Sequence, residues 1–314
     1  MLKECTPIQK LNNIYQNNKI YVKREDLYPF SFGGNKVKIG KEFIKDAINK
    51  ECDVIISYGS PKSNLNRAMV SLCIKNKLEC FIVSPIENDE KKELNFNQKL
   101  NLLNIPFDNI CECKKDEVSL TIKNLLEKLK NSGKKPYYIN GDIYGKGNEK
   151  ISILAYQKCY EEIEEFQKEN SIKFDYIFLA SGTGMTQSGL ILGQNKSESK
   201  IKSKIIGISI ARREKQGKEA IERYLRSELN EEEIKKIEIE FIDDYLSGGY
   251  GKFTKEIKNK VIEIYKKEGI PLDLTYTGKA FYGMEEYLKT KEIKDKNILF
   301  LHTGGTPLFF DDIY

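Results

Sequence analysis

Phe32-Gly33-Gly34-Asn35-Lys36 is the stretch of this sequence with the most pointed chemistry. Adjacent glycines admit backbone conformations that side chains forbid, and they let the chain approach a flat ligand closely. The lysine that follows opens a predicted helix, where its amine can be held out of water. A desolvated lysine gives up its proton readily and attacks carbonyl carbon, which is Schiff-base chemistry. With 52 Lys and Arg in the chain, any one lysine is by default a solvated surface group. Its partners elsewhere in the chain therefore have to carry the argument.

The clearest partner is Ala180-Ser181-Gly182-Thr183-Gly184-Met185-Thr186, between an apolar run that reads as a strand and a helical stretch beginning at Gln187. Small hydroxyl and glycine residues leave backbone amides free to surround an anion, and the helix N-terminus adds partial positive charge. This is a phosphate cradle. It has no Gly-Lys-Ser/Thr ending, and its glycine spacing is not that of a dinucleotide loop. Pro61-Lys62-Ser63-Asn64 follows another strand, at the carboxyl end, where open parallel sheets bind ligands. Ser63 and Asn64 can donate to a carboxylate or a ring oxygen; helix capping accounts for their types equally well. Tyr276-Thr277-Gly278-Lys279 and His302-Thr303-Gly304-Gly305 also follow predicted strands. His302 is the only histidine, but at a strand end it reads as a packed, satisfied side chain rather than a base. A lysine for carbonyl chemistry, a phosphate cradle, and hydroxyl and tyrosine groups at strand ends are the combination that pyridoxal phosphate requires.

Such groups need a sheet to hold them. Residues 20–24, 54–58, 80–83, 109–111, 137–139, 176–180, 205–209 and 298–301 are predicted strands. Residues 237–242 and 272–276 are predicted shorter or edge strands, and 20–24 is the one strand predicted in the first segment. Helices are predicted over 64–75, 93–103, 118–129 and 150–169. Strands alternating with helices mean an α/β fold, with mostly parallel sheets covered on both faces. The glycine-rich stretch 141–147 reads as a crossing between domains.

Bulk properties narrow the function class. The 314 residues suit one large or two medium domains, and 39% hydrophobic with 32% charged residues describes a globular chain. No apolar run is long enough to span a bilayer, and the first residues lack a signal-peptide core. Both point to the cytoplasm and away from a membrane. Seven scattered cysteines and a single histidine argue against a zinc site or any other metal centre. The net charge of +5 comes from lysines interleaved with glutamates, a pattern of solvated helix faces rather than a nucleic-acid surface.

The sequence resembles the fold type II pyridoxal-phosphate enzymes that include D-cysteine desulfhydrases and 1-aminocyclopropane-1-carboxylate (ACC) deaminases. The resemblance rests on Lys23-Arg24-Glu25-Asp26-Leu27, the stretch ending at Lys36, Ser63-Asn64 with Arg67, and the loop at Ser181. It continues through Asp244-Tyr245, Gly249-Tyr250-Gly251, Tyr276-Thr277-Gly278-Lys279 and Leu301-His302-Thr303-Gly304-Gly305. These pieces run in the family's order over nearly the whole chain. The resemblance implies two three-layer α/β/α domains of the tryptophan synthase beta-like kind. Residues 1–40 with 150–314 would form the larger, cofactor-binding domain and 41–149 the smaller one.

The resemblance also implies roles. Lys36 would be the Schiff-base lysine, and Asn64 would meet the ring hydroxyl of the cofactor. Ser181, Gly182, Thr183, Gly184, Met185 and Thr186 would hold its phosphate. Ser63 would face the substrate carboxylate, Tyr250 and Tyr276 would flank the substrate, Thr277 would help bind it, and Thr303 would lie by the pyridine nitrogen or the substrate. An amino acid substrate, a homodimer and a lyase reaction complete the implication. ACC deaminases carry glutamate after the tyrosine matching Tyr276 and leucine where Thr303 stands. Thr277 and Thr303 therefore place this chain on the desulfhydrase side, with ACC deamination or a related elimination or replacement on another amino acid as alternatives. One departure is Leu65, where the family has histidine or glutamine; it cannot hydrogen-bond a carboxylate.

Overall fold

A computed structural model describes residues 5–86, 93–199 and 202–313. In chain order the strands are β1 (Ile8–Tyr15), β2 (Asn18–Arg24), β3 (Val54–Tyr58), β4 (Glu79–Pro85), β5 (Ile110–Cys113), β6 (Pro136–Tyr138), β7 (Tyr176–Ser181), β8 (Lys204–Ser209), β9 (Glu240–Ile242) and β10 (Asn297–His302). The helices are α1 (Asn35–Asn49), α2 (Asn64–Lys75), α3 (Phe96–Leu102), α4 (Val118–Asn131), α5 (Glu149–Glu169), α6 (Met185–Lys196), α7 (Glu214–Leu225), α8 (Glu231–Lys235), α9 (Lys255–Glu268), α10 (Thr277–Thr290) and α11 (Thr306–Ile313). The chain divides into two compact units, Met1–Asn35 with Ile153–Tyr314, and Lys36–Ser152.

The first unit is built on a six-stranded sheet ordered β1-β2-β10-β7-β8-β9. Every pairing is parallel except the β1–β2 hairpin. Ile177, Phe178 and Leu179 of β7 and Ile298 to Leu301 of β10 are all buried, so both faces of the sheet are covered. One face packs Phe178, Ile206, Ile208 and Phe300 against Val261 and Ile264 of α9 and Phe281 and Met284 of α10. On α6, a Cβ at Gly189 would lie 2.5 Å from Tyr156 Cβ. Glycine there lets α6 seat directly on α5.

The second unit carries a four-stranded, wholly parallel sheet ordered β5-β4-β3-β6. Val54, Ile55 and Ile56 at its centre are completely buried, as are Ala68, Met69 and Val70 of α2. The α/β alternation read from the sequence is the fold observed.

The structure differs from expectation in three places. The first segment holds two strands, folded back through Gln16 (φ 49°) and Asn17 (φ 62°), a left-handed pair that suits a tight hairpin turn. The predicted helix over 93–103 starts only at Phe96, where Asn95 and Gln98 form a reciprocal capping box. Residues 272–276 are not a strand: they curl into a turn entering α10, because the Asp273 carboxylate gathers the amides of Thr275, Tyr276 and Thr277. Leu272 and Leu274 are buried there, which reproduces the alternation of a strand without its hydrogen bonds. Among the described residues no helix is long and apolar enough to cross a membrane.

Candidate active site

Lys36 follows a backbone crossing that only glycine permits. Gly33 has φ +61° and Gly34 φ +97°, and a Cβ on Gly33 would stand 2.2 Å from the Asp26 carbonyl oxygen. Gly34 N donates to Glu25 O at 2.7 Å, and Asn35 N donates to Thr303 O at 2.9 Å. Asn35 Nδ2 donates to Thr186 Oγ1 at 2.8 Å. Asn35 thus ties the turn after β10 to the first turn of α6, one residue ahead of the lysine. Below it, Glu25 is fully buried and accepts from Thr6 Oγ1 at 2.5 Å and Tyr156 Oη at 2.9 Å. The Lys23 ammonium, 3.5 Å from Glu25 and 2.6 Å from Glu162, supplies the compensating charge. Lys36 keeps intermediate exposure, yet the protein around it strips enough hydration to lower its pKa to about 8.

The residues expected to form the cradle, Ser181, Gly182, Thr183, Gly184, Met185 and Thr186, join β7 to α6, and Gly184 (φ +92°) is the helix N-cap. The first-turn amides of a helix have no carbonyl behind them and point toward whatever sits there. Ser181 Oγ is buried with no hydrogen-bond partner among the described residues. Arg212 Nη1 donates to Thr183 O at 2.9 Å, which steadies the loop from outside.

Tyr276 and Tyr250 meet hydroxyl to hydroxyl at 2.5 Å with their rings edge to face. Burial first, then Tyr250 and Asp273, raise the Tyr276 pKa well above that of a free phenol, so at neutral pH it is a protonated hydroxyl that can donate a hydrogen bond and not a base. Asp273 is fully buried, and besides the three amides it accepts from Thr277 Oγ1 at 2.8 Å. Its pKa rises to about 6; burial and Asp312 raise it, while the bonds from Thr277 and Tyr276 oppose them. Thr277 Oγ1 also accepts from Asp273 N at 2.9 Å, so its hydroxyl is closed on the helix cap and turned inward. Lys279 is buried too and donates to Leu246 O at 2.8 Å and Gly249 O at 2.9 Å, holding the turn that leads to Tyr250. Burial lowers its pKa to about 8.

His302 is fixed as a neutral imidazole. Its Nε2 meets the Pro271 carbonyl at 2.9 Å, which can only accept, and Nδ1 receives the Gly304 amide at 3.2 Å. Burial lowers its pKa further. It orients the Thr303-Gly304-Gly305 turn.

In the second unit Ser63 caps α2, its Oγ accepting from Asn66 N at 3.2 Å, which leaves its own hydrogen to donate. Asn64 is partly exposed beside it, and Oδ1 accepts from Asn97 Nδ2 at 3.0 Å. Leu65 is buried, and the Arg67 guanidinium is almost wholly enclosed, with burial lowering its pKa to about 10. Sequence reading gave Asn35 no role of its own and did not single out Asn97 or Asp273. The one available signal was Asp273 itself, an acid between two buried leucines and four residues before Thr277.

These groups fit pyridoxal phosphate. A turn of free helix amides and an unpartnered buried hydroxyl suit a phosphate, and an amine with pKa near 8 suits an aldehyde. Two helix-covered sheets, mostly parallel, joined in this strand order are the architecture of the fold type II enzymes of this cofactor. Residues 2–304 match the family described as pyridoxal-phosphate dependent enzyme, and the chain belongs to that family. It is 32% identical to a Pyrococcus horikoshii protein that carries the provisional name 1-aminocyclopropane-1-carboxylate deaminase, over 96% of this chain and 89% of that one. It is 28% identical to the D-cysteine desulfhydrase of Serratia proteamaculans, over 99% and 94% of the two chains. A crystal structure titled as an ACC deaminase homologue superposes with a TM-score of 0.82 at 30% identity, covering 98% of this chain and 93% of that one. The protein is a pyridoxal-phosphate-dependent enzyme of the ACC deaminase and D-cysteine desulfhydrase group.

Proposed function

We propose that this enzyme is a lyase of the D-cysteine desulfhydrase type, converting D-cysteine and water to pyruvate, ammonia and hydrogen sulfide. The observation that carries the reading is Thr277. The residue after Tyr276 is neutral, with its hydroxyl closed on Asp273, where the ACC deaminases of the resemblance have a carboxylate. Thr303, at the second discriminating position, is likewise neutral.

When bound, the cofactor supplies an electron sink for the pair left on the α carbon. Lys36 anchors it, and once the amino acid has taken its place the Lys36 amine removes the α proton. A pKa near 8 makes that amine a usable base. The C–S bond then breaks, and the sulfur leaves with its electron pair. Tyr276, held protonated and bonded to Tyr250, donates a hydrogen bond to the departing sulfide, which leaves as the hydrosulfide anion and takes its further proton from water. Ser63 donates its hydroxyl hydrogen to the substrate carboxylate, and Asn64 meets the ring oxygen. The amides from Gly182 to Thr186 and the Ser181 hydroxyl hold the phosphate. Thr303 offers a hydroxyl to the pyridine nitrogen, which a neutral group does not keep protonated, and this favours elimination over transamination.

The test is product analysis of the purified holoenzyme given D-cysteine, L-cysteine and ACC separately. Pyruvate and sulfide from D-cysteine alone support the reading. Ammonia and a four-carbon oxoacid from ACC would establish the second reading, which the 30% identical ACC deaminase homologue favours.

Asp273 adds a pH dependence. As pH falls through about 6 its carboxylate takes a proton, and the charge-assisted bonds to the Tyr276 and Thr277 amides weaken. The kcat profile is expected to fall on the acid side with a midpoint near 6. Asp273→Asn is expected to lose about ten-fold in kcat, the scale of a hydrogen bond to a charged group, and to lose this limb. An unchanged acid limb in Asp273→Asn would assign it to another group.

A further inference from the structure

We propose that Asn97 sets the orientation of the Asn64 side-chain amide and so decides which of its two polar atoms is presented to the cofactor. The inference rests on the reading of Asn64 as the partner of the ring oxygen. Asn97 lies in the first turn of α3 and is completely buried. Its Nδ2 donates to the Lys62 carbonyl at 3.0 Å and to Asn64 Oδ1 at 3.0 Å. A backbone carbonyl only accepts, so the atom of Asn97 facing it must be the NH2 group. That group has two hydrogens, and the second points at Asn64. The atom of Asn64 that receives it must therefore be the oxygen, and the Asn64 NH2 occupies the opposite branch as a free donor. A donor is what an electron-rich ring oxygen requires; a carbonyl oxygen in its place would repel it.

The cost of this arrangement is visible. Asn97 Oδ1 is buried without a hydrogen-bond partner among the described residues. An unpaired buried acceptor is unfavourable, and an apolar residue of similar size would avoid it. The two Nδ2 bonds are what the amide contributes, and both act on the Lys62-Ser63-Asn64 turn. The capping box of Asn95 and Gln98 fixes the start of α3 and with it the position of Asn97. Asn97 is a positioning residue that acts through Asn64.

Asn97→Asp keeps the shape but replaces the donor by a carboxylate, which repels Asn64 Oδ1 and attracts the Asn64 NH2, turning the amide over. The experiment compares wild type, Asn97→Asp, Asn64→Ala and the double variant, each reconstituted with pyridoxal phosphate. The readouts are the cofactor dissociation constant and the pH midpoint of its near-visible absorbance. Asn64→Ala and Asn97→Asp are expected to shift that midpoint in the same direction and to weaken cofactor binding about ten-fold, the scale of one hydrogen bond to a charged oxygen. The double variant is expected to match Asn64→Ala alone. A normal spectrum and affinity in Asn97→Asp, with Asn64→Ala altered, would overturn the role of Asn97 and leave that of Asn64 standing. Normal behaviour in Asn64→Ala would overturn the reading of Asn64 and the inference with it. Should Asn97→Asp fail to fold by circular dichroism, Asn97→Ala, which removes the donor without adding charge, is judged by the same two readouts.

Discussion

Lys36→Ala is expected to lower turnover by at least about 10³-fold, because under the proposed roles the variant loses both the nucleophile that anchors the cofactor and the base that moves the α proton. The near-visible band that borohydride discharges is expected to vanish with it, while the far-ultraviolet circular dichroism stays unchanged. The physical basis is desolvation. The protein around Lys36 removes hydration from its ammonium, and a pKa near 8 leaves a working fraction of neutral amine. The sign follows directly: only the neutral amine attacks an aldehyde, so wild-type apoprotein is expected to capture pyridoxal phosphate faster as pH rises toward 8 and to level off above it. Lys45, exposed further along α1, serves as the control, and Lys45→Ala is expected to behave as wild type. Substantial activity with a borohydride-sensitive band in Lys36→Ala would place the linkage elsewhere.

Gly33→Ala is expected to destabilise the protein by about 2–5 kcal/mol, combining the left-handed backbone of a non-glycine residue with a steric collision. At φ +61° a Cβ would stand 2.2 Å from Asp26 O, 2.6 Å from Asp26 C and 2.9 Å from Glu25 O, all backbone atoms that cannot rotate away. Relief requires the 32–36 segment to move, and that displaces Lys36. The variant is therefore expected to show a lower urea midpoint and weaker cofactor binding together. Gly133→Ala separates the two contributions. Gly133 has φ +78° with nothing within 4 Å, so it bears the dihedral cost alone, about 1–2 kcal/mol. Equal losses in the two variants would mean that the collision at Gly33 is relieved at no cost.

The sequence by itself determined those parts of the protein whose signals are local. The apolar run Val54–Tyr58 is a strand and Asn64–Lys75 a helix, as their periodicities require. The alternation of such segments was sufficient for mostly parallel, helix-covered sheets; that there are two of them was an implication of the resemblance. The glycine pair before Lys36 and the small-residue loop at Ser181 were legible as turns leading into helices, because glycine and small hydroxyl residues favour such turns.

Tertiary structure decided the rest. Residues 272–276 carry a strand's alternation yet form a turn, since the Asp273 carboxylate offers their amides better partners than a sheet edge would. Thr277 reads as a substrate group, but its hydroxyl is closed on that same acid. His302 is the packed, satisfied side chain expected at a strand end, but which groups satisfy it, the Pro271 carbonyl and the Gly304 amide, only packing decides. Asn97 gives no local sign of its contact with Asn64, 33 residues earlier. In each case the deciding quantity is a hydrogen-bond partner or the loss of water around a group. Both depend on which distant segments pack together, and residue type and spacing do not carry that information.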